Sequence, residues 1–194
     1  MRLILFDFDG TLTRKDSFIE FITYYKGRRK LYAGFLVNII HLSKFMLGLI
    51  SNSRFKEIML SHFFKGESIC EFNKRGEQFA LNVIPDILRN GAIKTIEKHS
   101  KEDNKLIVVT ASCSNWIKAW TDKMDLELIA TELEVVDGKI SGKLSGKNCY
   151  ESEKVLRIKS YVELDNFDSI IAYGDSVGDK QMLDLADVKN YRAI

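Results

Sequence analysis

One proline, Pro85, is all that a chain of 194 residues contains. That scarcity excludes a proline-rich linker, and no repeat or low-complexity stretch argues against a packed fold. Cys70, Cys113 and Cys149 stand far apart. They give neither a zinc spacing nor a disulfide framework, which points to a reducing, cytoplasmic setting. His41, His62 and His99 form no cluster and read as packing or surface residues. Charge of one sign is also lacking: 29 basic against 27 acidic side chains leave +2, which predicts no nucleic-acid partner. The first residues, Met1 to Phe6, run straight into Asp7, so no secretory leader is expected there.

What is present is enough apolar material, 45%, and enough length for one full core plus an insertion. Arg2–Phe8 reads as a buried strand. Ser17-x-x-Glu20 is a capping-box pattern that opens a helix. Helices are expected over 30–50, 54–64 and 68–83, with Pro85 marking the return to the core. Further helices are expected over 86–99, 114–124 and 151–164. Strands are expected up to Thr110, over 128–131, over 169–173 and at an edge over 188–192. Asp137-Gly138 between Val135 and Ile140 signals a hairpin turn. Strands alternating with helices predict a Rossmann-like three-layer α/β sandwich with a mostly parallel sheet.

Two pairs of carboxylates carry the chemical signal. Asp7 and Asp9 follow the first apolar run, and Asp175 and Asp179 follow Ile170–Tyr173. Strand residues two apart face the same way, at the end of an open sheet where ligands bind. Carboxylates gathered there repel unless a cation joins them, and hard oxygen donors suit Mg²⁺. A helical turn after Gly174 would set Asp175 and Asp179 on one face.

These segments resemble the signatures of the haloacid dehalogenase superfamily. Asp7-Phe8-Asp9-Gly10-Thr11-Leu12-Thr13 is similar to the first. Leu106–Thr110 is similar to the second, Lys154 opening a helix to the third, and Gly174–Asp179 to the fourth. The branch with phosphoserine phosphatases fits best, because an insertion follows the first signature. The resemblance implies a catalytic core over 1–13 and 86–194 and a helical-bundle cap over 14–85. It implies Asp7 as nucleophile, Asp9 as acid and base, and Thr110 with the N–H groups of Gly10 and Ala111 as phosphoryl ligands. Lys154 would neutralise charge, with Lys147 as its rival. Asp7, Asp175, Asp179 and the Asp9 carbonyl would hold Mg²⁺, Asp179 through water or by orienting Lys154. Asp16, Arg54 and Lys56 are cap candidates for substrate contact, whereas Ser112 and Ser114 read as caps. Asp16 stands where that branch carries Glu, and Gly178 where it carries Asn.

The leading expectation is a Mg²⁺-dependent phosphatase acting on a small phosphorylated metabolite. An alternative is a lipid head-group phosphatase at a membrane surface, similar to phosphatidylglycerophosphatases with their apolar cap and Asp-x-Phe pattern, here Asp16-Ser17-Phe18. Another is a phospho-accepting signalling module. The apolar stretch 31–50 reads either as a cap-bundle helix or as a membrane-surface helix, making the protein cytoplasmic or peripheral to a membrane.

Overall fold

A computed structural model describes every residue from Met1 to Ile194. After β1 (Arg2–Phe6) come five helices: α1 (Ser17–Lys26), α2 (Arg28–Val37), α3 (Ile39–Met46), α4 (Asn52–Phe64) and α5 (Ile69–Asn82). The chain returns through α6 (Ile84–Ile87) and α7 (Ala92–Ser100) to β2 (Asn104–Cys113). It continues through α8 (Lys118–Lys123), β3 (Glu127–Thr131) and the hairpin β4 (Leu133–Val136) and β5 (Lys139–Leu144). The last elements are α9 (Ser152–Tyr161), β6 (Ile170–Gly174), α10 (Lys180–Leu185) and β7 (Val188–Tyr191).

Five strands form one sheet in the order β3-β2-β1-β6-β7, every neighbouring pair parallel. Alternation along the strands fills both faces. Ile4, Phe6, Val108 and Tyr173 enter one core, while Leu3, Leu5, Ile107 and Ala172 enter the other. A parallel sheet needs both faces covered. Ile158 of α9 and Met182 of α10 cover the second face; Ile96 of α7, Trp120 and the inserted helices cover the first. The chain leaves β1 for β2 and β3, then crosses back to β6 on the other side of β1. That reversal opens a crevice at the strand ends.

The inserted helices share their core with the sheet. Phe21 stacks on Trp116 at 5.1 Å and meets Phe72 at 5.2 Å and Phe79 at 5.3 Å. All four belong to the same buried cluster as Ile4 and Val108. The hairpin is tied to the insertion as well: Gly66 N–H donates to Ile140 O at 2.8 Å, and Ile140 N–H to Glu67 O at 2.9 Å.

Several boundaries differ from the sequence reading. The stretch 30–50 is not one helix, because the buried Asn38 amide donates to Gly34 O at 2.9 Å and separates α2 from α3. A side chain that competes locally for backbone favours such a joint. No helix is long and apolar enough to cross a membrane. Asp16, rather than Ser17, caps α1 by accepting from Ile19 N–H at 2.9 Å. Extended backbone at Leu88 divides 86–99, leaving Pro85 near the start of α6, where a missing N–H costs little. A 3₁₀ turn at Ser114–Trp116 precedes α8, and β2 runs on to Cys113. The hairpin turn forms as expected, with positive φ at Asp137 and Gly138.

Because one aromatic core serves both the insertion and the sheet, Phe21→Ala should cost about 3–5 kcal/mol. Urea unfolding followed by tryptophan fluorescence and by far-UV dichroism should give one transition, shifted in both signals. Two separated transitions would show that the insertion carries a core of its own.

Candidate active site

The end of β1, the end of β6 and the start of α9 converge on one ammonium group. Lys154 Nζ donates to Asp7 Oδ1 at 2.5 Å, to Asp179 Oδ1 at 2.7 Å and to Val109 O at 2.9 Å. Its three protons are thereby used, with the side chain 2% exposed. The two carboxylates outweigh the cost of burial and hold the ammonium charged well above the usual lysine range. Lys147, the rival, is exposed, and its carbonyl accepts from Arg157.

Asp7, Asp175 and Asp179 place carboxylate oxygens within 4.8 Å of one another. Three carboxylates against one ammonium leave negative charge without a partner. Burial pushes the Asp7 carboxyl up to about 7; Lys154 pulls it down and the Asp179 charge pushes it further up. Burial and the Asp179 charge also raise Asp175. Asp179 stays below the usual carboxylate range because Lys154 and Ser176 outweigh its burial. All-oxygen donors with excess negative charge fit a hard divalent cation such as Mg²⁺. Asp7 and Asp175 are the freer donors. Asp179 spends Oδ1 on Lys154, and its Oδ2 accepts from Ser176 Oγ at 2.8 Å, Ser176 N–H at 3.0 Å and Asp175 N–H at 3.2 Å. Here a 3₁₀ capping turn, not a helical face, joins Asp175 to Asp179.

Asp9 faces away from that cluster. Its Oδ1 accepts from Ser17 N–H at 2.6 Å and its Oδ2 from Ser112 Oγ at 2.6 Å. Since the Ser112 proton goes to Asp9, Ser17 Oγ must donate to Ser112 Oγ, 3.0 Å away. Ser17 Oγ in turn accepts from Trp116 Nε1 at 3.2 Å. Burial and the Asp16 charge lift Asp9 to about 6 against the lowering bonds from Ser112 and Ser17.

These groups line a cavity of about 310 Å³ together with Thr110, Ala111, Asp16, Lys56 and Tyr150. Phe18, Ile19, Phe35, Phe45, Phe55 and Met59 form its apolar wall. Lys56 Nζ donates to Ala111 O at 2.6 Å and Asn148 Oδ1 at 3.0 Å, pinning α4 to β2. Burial holds its ammonium below the usual lysine value.

Two predicted ligands lie elsewhere. Arg54 is 63% exposed beside Glu57, outside the cavity. Gly10 turns its N–H toward Thr13 Oγ1 and is not on the cavity wall. It permits close approach instead: a Cβ at this position, φ 87°, would sit 2.4 Å from an Asp175 oxygen. Gly178 is explained similarly, since a Cβ there would meet the Tyr150 ring at 2.2 Å.

Sequence reasoning missed Thr11, whose hydroxyl lies 3.0 Å from Asp7 Oδ2 and 3.3 Å from Asp175 Oδ1. Its place four residues after Asp7 was the available signal. It also misread Ser112, which binds Asp9 rather than capping a helix. Ser114 opens the 3₁₀ turn and donates to Glu132 at 2.7 Å. His99 pairs with the Tyr173 hydroxyl at 2.8 Å, while His41 is exposed and His62 lies edge-on to Phe63.

The chain as a whole is similar to known proteins. Residues 4–184 match the family described as haloacid dehalogenase-like hydrolase. Protein CicA of Caulobacter vibrioides is 32% identical over 195 residues, spanning 98% of this chain and 85% of CicA. A protein with unknown function from Bordetella pertussis Tohama I has a TM-score of 0.80 at 25% identity, over 95% of this chain and 86% of that one. A phosphoserine phosphatase solved as a phospho-aspartyl intermediate analogue gives a TM-score of 0.69 at 22% identity, over 96% and 84% of the two chains. That last likeness is one of fold.

Removing the lysine should expose the electrostatics of the cluster. Lys154→Met leaves buried carboxylates unpaired, which costs about 3–5 kcal/mol near neutral pH. A carboxyl whose folded pKa exceeds its unfolded value of about 3.9 loses folding stability as pH climbs between the two. The deficit in urea unfolding should therefore shrink at mildly acidic pH. A deficit independent of pH would mean that lost packing, not charge, is responsible.

Proposed function

Because this chain belongs to the haloacid dehalogenase-like hydrolase family, we propose that it is a Mg²⁺-dependent phosphatase that cleaves a small phosphate monoester through an aspartyl-phosphate on Asp7. The observation that carries the reading is the buried Lys154 ammonium bound to Asp7 and Asp179, with Asp175 alongside. Asp7 would attack phosphorus in line as the bond to the leaving oxygen breaks. Asp9, protonated, would give its proton to that oxygen. As a carboxylate it would then take a proton from the water that attacks phosphorus and frees Asp7. Lys154 would counter charge on the nucleophile and the transferring group, and the Thr110 hydroxyl would hold a phosphoryl oxygen. Mg²⁺, held by Asp7 and Asp175 with the Asp9 carbonyl, would screen the nucleophile from the phosphoryl charge.

The helices between residues 14 and 85 serve in this reading as a cap, contributing Asp16, Lys56 and the apolar wall to the cavity. That wall favours a leaving group with hydrocarbon bulk, so a lipid phosphate stands as the second reading. A phospho-accepting module would keep its phosphoryl group. Asp9, set on the cavity wall with a raised pKa, supports turnover instead.

Phosphate release measured across metabolite and lipid phosphates tests the reading. Asp7→Asn should abolish release in a folded protein, whereas Asp9→Asn should slow it by about 10²–10⁴. Chelation should stop release and Mg²⁺ restore it, with Ca²⁺ a poor substitute because of its looser shell. Full activity of Asp7→Asn, or turnover in thoroughly chelated protein, would refute the mechanism.

The pH profile gives an independent check. An acid with a pKa of about 6 loses its proton, and its use in the first step, as pH rises through that value. Ser112→Ala removes a bond to the ionised form and should move the alkaline limb of kcat/KM upward. Asp16→Asn removes a repelling charge and should move it downward. Shifts in the same direction would show that Asp9 is not the titrating acid.

A further inference from the structure

Eight of the seventeen exposed large apolar side chains fall between Tyr32 and Leu49. Leu36, Val37, Ile40, Met46, Leu47 and Leu49 each remain between 66% and 78% exposed. They lie on α2 and α3 and on the turn that follows. Helix α2 buries only Leu31 and Gly34, and α3 buries none of its residues. Contiguous apolar surface of this kind marks an interaction site.

Charge around the patch has one sign. No aspartate or glutamate occurs from Phe21 to Lys56. Arg28, Arg29, Lys30 and Lys44 are exposed. None of the four belongs to an ion pair. Arg29 stands three and four residues before Tyr32 and Ala33, and Lys44 four residues after Ile40, so cations share the outward stripes with apolar residues.

We propose that the α2–α3 face docks on the surface of an anionic lipid bilayer, its apolar side chains entering the headgroup region and its cations meeting lipid phosphates. Helices of 10 and 8 residues are too short to span a bilayer but suffice to lie along its surface. A second copy of this chain is a poorer occupant. Two-fold pairing would bring the same cations into one interface, and the segment offers no carboxylate to receive them. An anionic bilayer complements both the apolar and the basic character. Phe35 and Phe45, on the same two helices, line the catalytic cavity. Docking would therefore hold that side of the cavity near the lipid surface. The proposal does not depend on the hydrolytic reading.

The test is vesicle flotation of the full chain with phosphatidylcholine vesicles and with phosphatidylcholine–phosphatidylglycerol vesicles. The protein should float with the mixed vesicles, release with added salt and float poorly with phosphatidylcholine alone. Arg29→Gln with Lys44→Gln should lower the partition coefficient by on the order of 25-fold, about fivefold for each cation. Leu36→Ser with Leu47→Ser should abolish flotation. Both pairs should keep the wild-type unfolding midpoint and the hydrolysis of a small soluble ester measured without vesicles. Absence of binding to mixed vesicles, or equal binding by wild type and both variants, would overturn the proposal. So would a dimer in sedimentation velocity that the leucine changes dissociate while wild type ignores vesicles. None of these failures touches the soluble ester assay, so the phosphatase reading is judged separately.

Discussion

The arrangement depends on one buried ammonium held between two buried carboxylates. Isolated, any of the three groups would be forced out of its charged form by desolvation. Together they fix three chain segments that are far apart in sequence: Asp7 after β1, Lys154 in α9 and Asp179 after β6. The third proton of Lys154, on Val109 O, adds β2. The contact thus closes the crevice end of the sheet and, by the same geometry, orients the carboxylate that faces the cavity. A buried pair of this kind is weak evidence for stability by itself. Its position at the strand ends, beside carboxylates left in excess, is what gives it chemical meaning.

Two aspartates two residues apart acquire different environments. Asp7 is gripped by cationic and hydroxyl donors and looks toward Asp175. Asp9 meets only neutral donors, Ser17 N–H and the Ser112 hydroxyl, at the end of a chain of hydrogen bonds that begins at Trp116. Groups separated in this way can divide nucleophilic and acid–base duties. The Trp116 ring that starts the chain also stacks on Phe21. Orientation of Asp9 is therefore coupled to packing between the inserted helices and the sheet.

The insertion meets the cavity in two different ways. Through Lys56 it is pinned to Ala111 O and Asn148, so α4 and the end of β2 keep a fixed relation. Through α2 and α3 it contributes Phe35 and Phe45 inward while leaving the opposite face open and basic.

Lys154 was legible only through the resemblance of its segment to a family signature, whereas residue order alone determined the α/β class, the parallel sheet, the positions of Asp7 and Asp175 after strand-like runs, and the Asp137-Gly138 turn. The latter follow from local periodicity and turn chemistry, which a sequence displays directly. Tertiary structure decided the rest. Asn38 splits an apolar run because its buried amide finds Gly34 O, and Asp16 takes the cap because Ser17 is drawn to Asp9. Arg54 falls outside the cavity and Lys56 inside it, though both lie on α4. Ser112 becomes a partner of Asp9 only because β2 continues past Thr110 to Cys113. Each of these outcomes turns on contacts between segments distant along the chain, and no local pattern encodes which face will meet them.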